Sequence, residues 1–161
     1  IIEPDSPRSK KNFEMIQELM FSNIEKTGDH SISITLPSQS LEEMGSAEKT
    51  EYSFRSIELI LSMQSALDLG ENQPELTHVD RFEKKLNSMF ESLDESKKGN
   101  SGFYWEFLAP YFIELGKNNY ENVLAHLVFS NQEDDNVSGW LLENESSVRS
   151  FYEWSSNYKW D

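Results

Sequence analysis

From Val79 to Leu93 the apolar residues Val79, Phe82, Leu86, Met89, Phe90 and Leu93 recur mainly at steps of three and four. Only a helix places such a set on one face, because a strand sends successive side chains to opposite sides. Thr77 followed three residues later by Asp80 has the pattern of a capping box with Asp in place of Glu, so the helix is expected to begin there. Lys97, Lys98 and Gly99 close it: cations at the negative end of the helix dipole, then a residue free to adopt positive φ.

The same period predicts further helices. Phe13, Ile16, Leu19, Met20 and Ile24 mark a first helix stopped by Gly28, after a tail over residues 1–12. Tyr52, Phe54, Ile57, Ile60, Leu61, Met63 and Leu67 cover more than one stripe, which predicts a helix buried on a wide face and stopped by Gly70. His30 to Leu36 alternates polar and apolar residues, but a single short strand has nothing to pair with and is read as extended loop. With residues 38–50, which have room for one helical turn, it forms a flexible connection over about 29–50.

Ser101 to Gly116 is apolar almost all round and contains Pro110. An interior proline removes a backbone donor at about 3 kcal/mol, so the helix either kinks near Glu106 or restarts with Pro110 in its first turn. The kink is preferred, since Phe107, Leu108, Tyr111, Phe112 and Leu115 continue one stripe across it. Gly116 then ends this helix, Asn119 caps the next, and Tyr120, Val123, Leu124, Leu127 and Val128 repeat along it. Val137, Trp140 and Leu141 mark a short helix, and Ser146 or Ser147 caps a last one bearing Val148, Phe151, Tyr152 and Trp154. The expected fold is all-α: six or seven helices packed as antiparallel hairpins in one domain over 13–161, with a tetratricopeptide-like or helical-bundle architecture.

That architecture rests partly on a resemblance. Trp105, Leu108, Ala109, Phe112, Gly116 and Tyr120 fall in the order large aromatic, leucine, small residue, aromatic, turn glycine, aromatic, and the stretch 105–131 resembles a single tetratricopeptide-type helical hairpin. The turn after Gly116 is about two residues longer than the family's, Val123 stands where alanine is usual, and no second copy recurs at a period near 34 residues. The resemblance implies peptide or protein binding in a helical groove.

Charge points the same way. Fourteen of the 20 aromatic residues, including all 4 tryptophans, lie between Phe103 and Trp160, in a chain of net charge −15. No base lies between Lys117 and Arg149, a stretch holding Glu121, Glu133, Asp134, Asp135, Glu143 and Glu145. A broadly negative surface disfavours nucleic-acid phosphates and anionic membranes and suits a basic protein partner. No apolar run approaches the ~20 residues of a membrane span. The absence of cysteine excludes disulfides and thiolate sites while leaving redox compartment open. A cytoplasmic location is preferred, and the missing initiator Met is also compatible with a removed export signal.

Catalytic patterns are not found. His30, His78 and His126 share no i, i+3 or i+4 spacing for a metal; His78 is read as a coil or capping residue and His126 as a helix-surface or core residue, although the two could meet in space. Glu133-Asp134-Asp135-Asn136 lacks the spaced loop that wraps calcium. Adjacent carboxylates such as Glu42-Glu43 and Asp94-Glu95 diverge on a helix, where acid/base chemistry needs two that face each other. Ser62 and Ser101 sit in no nucleophile elbow, and the 7 glycines form no phosphate loop. No catalytic residue, metal or cofactor is assigned.

The expectation is therefore an acidic helical protein-binding module, one form being a bacterial immunity or inhibitor protein that masks a basic toxin. Two or three tryptophans should be buried. Partner contact is expected from Tyr104, Trp105, Trp140, Tyr158 and Trp160, rimmed by Glu133, Asp134, Asp135, Glu143 and Glu145. Two other readings stand beside it: an accessory or structural domain of an exported bacterial protein, and an enzyme with a dispersed site.

Overall fold

The computed structural model describes residues 6–21, 24–28, 31–35, 54–69 and 76–160. The expected short turn at 38–50, the Gly70 stop, Tyr52, His30 and the Glu42-Glu43 pair lie outside the described residues. What is described is predominantly helical, as the periodicity predicts.

Helix α1 (Pro7–Phe21) starts inside the stretch read as a tail. Ser6 caps it, its hydroxyl accepting the Ser9 N–H at 3.1 Å, and Pro7 brings a preset φ to the first helical position. It also ends early. Ile24–Gly28 forms strand β1 and pairs antiparallel with Ser31–Ile34, strand β2, with Ile24 opposite Ile34 and Glu25 opposite Ser33. The alternating segment thus finds its edge in residues assigned to the first helix, and Gly28 sits at a register irregularity of this hairpin instead of at a helix stop.

Helix α2 (Arg55–Asp68) buries Ile57, Ser62 and Ser65, while Met63 and Leu67 are exposed, so its inner face is narrower than the apolar pattern implies. Small polar residues on that face allow close approach: the Ser65 hydroxyl donates to the Met20 carbonyl of α1 at 2.7 Å.

Helix α3 (His78–Lys97) is the axis of the molecule, against which α2 and two later helices pack. Its capping box is present in full. Thr77 Oγ1 accepts the Asp80 N–H at 3.1 Å, and Asp80 Oδ2 accepts the Thr77 N–H at 2.9 Å. The Thr77 hydrogen bonds hold the Asp80 carboxyl below the usual carboxylate range. On its inner face Val79, Phe82, Leu86, Phe90 and Leu93 are joined by Lys85, whose ammonium pairs with Asp68 of α2 at 3.0 Å. Burial lowers the Lys85 pKa, and the hydrogen bond that its ammonium donates to Asp68 works against that shift.

A π-helical turn at Tyr104–Leu108 leads directly into α4 (Ala109–Lys117), with Pro110 in the first turn of α4. The irregularity anticipated at Glu106 is this wide turn, which runs into α4 with no break in the helical backbone. In a turn closed at i+5, with the Ala109 N–H reaching the Tyr104 carbonyl, the proline ring no longer has to share an ideal α-turn with the carbonyl four residues back.

The turn into α5 (Glu121–Phe129) is a Schellman motif centred on Asn119. Asn119 has φ 56°, its N–H bonds the Gly116 carbonyl at 2.9 Å, and the Tyr120 N–H bonds the Leu115 carbonyl at 3.2 Å. Asn119 thus closes α4 and does not cap α5. Gly116 serves contact instead: a Cβ there would stand 3.1 Å from the Phe90 Cβ, so glycine lets α4 lie close on α3. Both α4 and α5 pack along α3.

Helices α6 (Asp135–Glu143) and α7 (Glu145–Asn157) complete the described chain. Asp134 caps α6 by accepting the Asn136 N–H at 2.8 Å. Asn144, and neither Ser146 nor Ser147, stands at the start of α7, without a side-chain cap. Among the described residues one hydrophobic core joins these helices. Phe13 of α1 meets Phe129 of α5 edge-on at 5.0 Å, and Phe129 meets Phe82 of α3 at 5.5 Å.

Candidate functional site

The aromatic residues after Phe103 build a ladder that runs from the surface into the core. Phe103 and Phe107, four apart on the wide turn, stack at 5.1 Å. Phe107 meets Trp160 at 5.0 Å, Trp160 lies over Tyr111 at 4.9 Å and 17°, and Tyr111 stacks on Trp154 at 5.2 Å. The Tyr111 hydroxyl bonds Ser155 Oγ at 2.8 Å, and Tyr158 meets the Tyr111 ring edge-on at 5.0 Å. The segment after α7 therefore docks on α4. Each such ring pair contributes about 0.5–1.5 kcal/mol beyond the area it buries.

The upper end of this ladder faces solvent: Phe103 is 56% exposed and Trp160 46%. Tyr104, 37% exposed, extends the patch, standing edge-on to both Phe103 and Phe54. Glu106, on the same turn, is exposed, its carboxylate accepting the Gly102 N–H at 3.2 Å.

Of the residues that the sequence nominates for partner contact, Trp105 does not reach the surface. It is 1% exposed, stacked on Phe54 at 4.7 Å and 17°, because the turn that shows Phe103 and Tyr104 to solvent aims the next side chain inward. Trp140 and Tyr158 are half-buried; Trp140 lies flat on His126 at 3.8 Å. Tyr104 and Trp160 are surface aromatics as expected. One tryptophan is fully buried, Trp140 and Trp154 are half-buried, and Trp160 is exposed.

The acidic residues fall into two groups. Glu133, Asp134 and Asp135 lead into α6, where Asp134 also pairs with His78 Nε2 at 3.3 Å. Glu143 and Glu145 stand at the corner between α6 and α7, and Glu145 pairs with Arg149 at 2.7 Å. Helix α7 rises about 18 Å between Glu145 and Asn157, which sets that corner and the Trp160 end of the ladder at opposite ends of one helix. Glu143 and Glu145 thus stand apart from the exposed end of the ladder, while Trp140 shares α6 with Asp135 and Glu143.

The two described histidines are accounted for locally. His126 is buried, its Nδ1 bonding the Asn122 carbonyl at 2.9 Å, while His78 opens α3 against Phe129. Among the described residues no three His, Asp or Glu side chains converge as metal ligands, and no helix is long and apolar enough to cross a membrane. Phe103 and Phe107 are candidates not singled out for partner contact from the sequence, where Phe107 falls on the apolar stripe that crosses Pro110. Their spacing of four was visible, but the exposure of Phe103 depends on the π turn. No protein-family model, no curated protein and no solved structure matches this chain.

Proposed function

We propose that the protein is an acidic helical module that holds a basic protein partner, with the exposed end of the aromatic ladder as its anchor. The observation that carries this is the side-by-side exposure of Phe103, Tyr104 and Trp160 in a chain of net charge −15. Aromatic rings fixed by stacking lose little freedom on binding and fill interface pockets, and their faces attract guanidinium and ammonium groups. Glu106 adds a carboxylate at the patch, while the acids of the α6 loop supply long-range attraction. An inhibitor that occludes the positive cleft of a toxin is one form of such a module, and the tetratricopeptide-like stretch 105–131 supports a peptide- or protein-binding role.

The two contributions separate kinetically. In cross-linking from source-cell extract followed by kinetics on the captured protein, Phe103→Ser with Trp160→Ser should speed dissociation by about tenfold or more. Reversing Glu133 and Asp135 to lysine should slow association and flatten its salt dependence. Capture that the aromatic variant leaves unchanged would refute the reading.

A further inference from the structure

A different part of the surface holds an uncharged cleft. Where the α4–α5 turn meets the start of α7 there is a cleft of about 360 Å³, lined by Asn119, Tyr120, Asn122, Trp140, Ser146 and Ser147 among others, and no lining residue is charged. In a chain with 27% charged residues this sets it apart from three other clefts on the surface, which include Glu145 and Arg149, Lys10 and Glu133, or Glu91 and Asp94.

The lining is an inventory of neutral donors and acceptors beside rings. His126 stacks on one face of Trp140 at 15°, which fixes the indole plane where it borders the cleft. Asn122 spends its amide N–H on Glu83 and keeps its position, whereas the exposed side chains of Asn119, Ser146 and Ser147 have no protein partner among the described residues. Helices α5 and α7 both begin at this cleft without a side-chain cap, adding backbone N–H groups. A lone anion is disfavoured, because Glu121 and Glu145 occupy those same first turns and the whole chain is negative.

From this lining we infer that the cleft binds an uncharged polyhydroxylated ligand, a saccharide. Its hydroxyls both donate and accept, which suits side-chain amides and serine hydroxyls, and the C–H face of a sugar ring packs on an aromatic ring. The cleft volume is at the lower end of the range for small-molecule sites, which suits one to three sugar units.

The test is titration of the whole chain with chitotriose, maltotriose, cellotriose and inorganic phosphate, each to about 50 mM, followed by tryptophan fluorescence and backbone amide NMR. At least one trisaccharide should saturate and shift the Asn119 and Ser146 signals. Ser146→Ala with Ser147→Ala should weaken that binding about tenfold. Asn119→Gly, which keeps the left-handed backbone while removing the amide, should weaken it as well, and Phe103→Ser should leave it unchanged. No shift with any sugar, sugar binding that survives these cleft variants, or saturation by phosphate alone would each overturn the proposal.

Discussion

Glu121 opens α5 in a setting that opposes its charge. Burial raises its pKa above the ordinary glutamate value, and the like charges of Glu83 and Glu91 push it the same way. A carboxyl whose folded pKa is raised stabilises the fold more as pH falls through that pKa toward the unfolded value. Glu121→Gln should therefore raise the denaturant midpoint at pH 7, and the gain over wild type should vanish near pH 4; a gain independent of pH would assign the effect to something other than charge. Asn119 makes a second single-residue case. Its φ of 56° is tolerated by Asn and Gly but costly for other side chains. Asn119→Ala should cost about 1–2 kcal/mol in urea unfolding and Asn119→Gly far less. The left-handed residue was not legible from composition, because Gly116 stands three positions earlier and is the stronger punctuation signal; contact with Phe90 claims that glycine.

At the scale of elements, α3 was readable and β1 was not, for one reason. The box at Thr77 and Asp80 and the stripe from Val79 to Leu93 are satisfied within a single helix, so local sequence specifies them. Ile24 fits both the helical step from Met20 and the alternation of a strand, and only pairing with Ile34 decides between them. The same holds for the candidate anchor, where Phe103 and Trp105 look alike in sequence and the π turn separates them into surface and core. Lys85 and Asp68 form a buried ion pair between α2 and α3. Removing one member of a buried ion pair strands the other, so Lys85→Ala should cost about 3–5 kcal/mol, while Lys85→Met combined with Asp68→Asn should recover most of that. The Lys85 pKa is lowered by burial, so this pair contributes more to stability as pH rises through the folded pKa toward the unfolded lysine value. Wild type measured against the double variant between about pH 7 and pH 10 should show that rise.

For the whole molecule, the excess of 29 acids over 14 bases makes self-repulsion a general tax on folding. Raising NaCl from about 10 mM to about 200 mM shortens the screening length several-fold, so Tm should climb with salt, and a falling Tm would mean that the net charge is compensated locally. Opposing that repulsion is the aromatic seam between α4 and the segment after α7, in which Tyr111 touches Trp154, Tyr158 and Trp160 and also bonds Ser155. Because Trp160 is exposed while the rings beneath it are half-buried, the seam carries its own optical gauge. Acrylamide should quench the Trp160 emission first, and a red shift arriving ahead of the loss of helical ellipticity would show this edge peeling away while the central helices still stand.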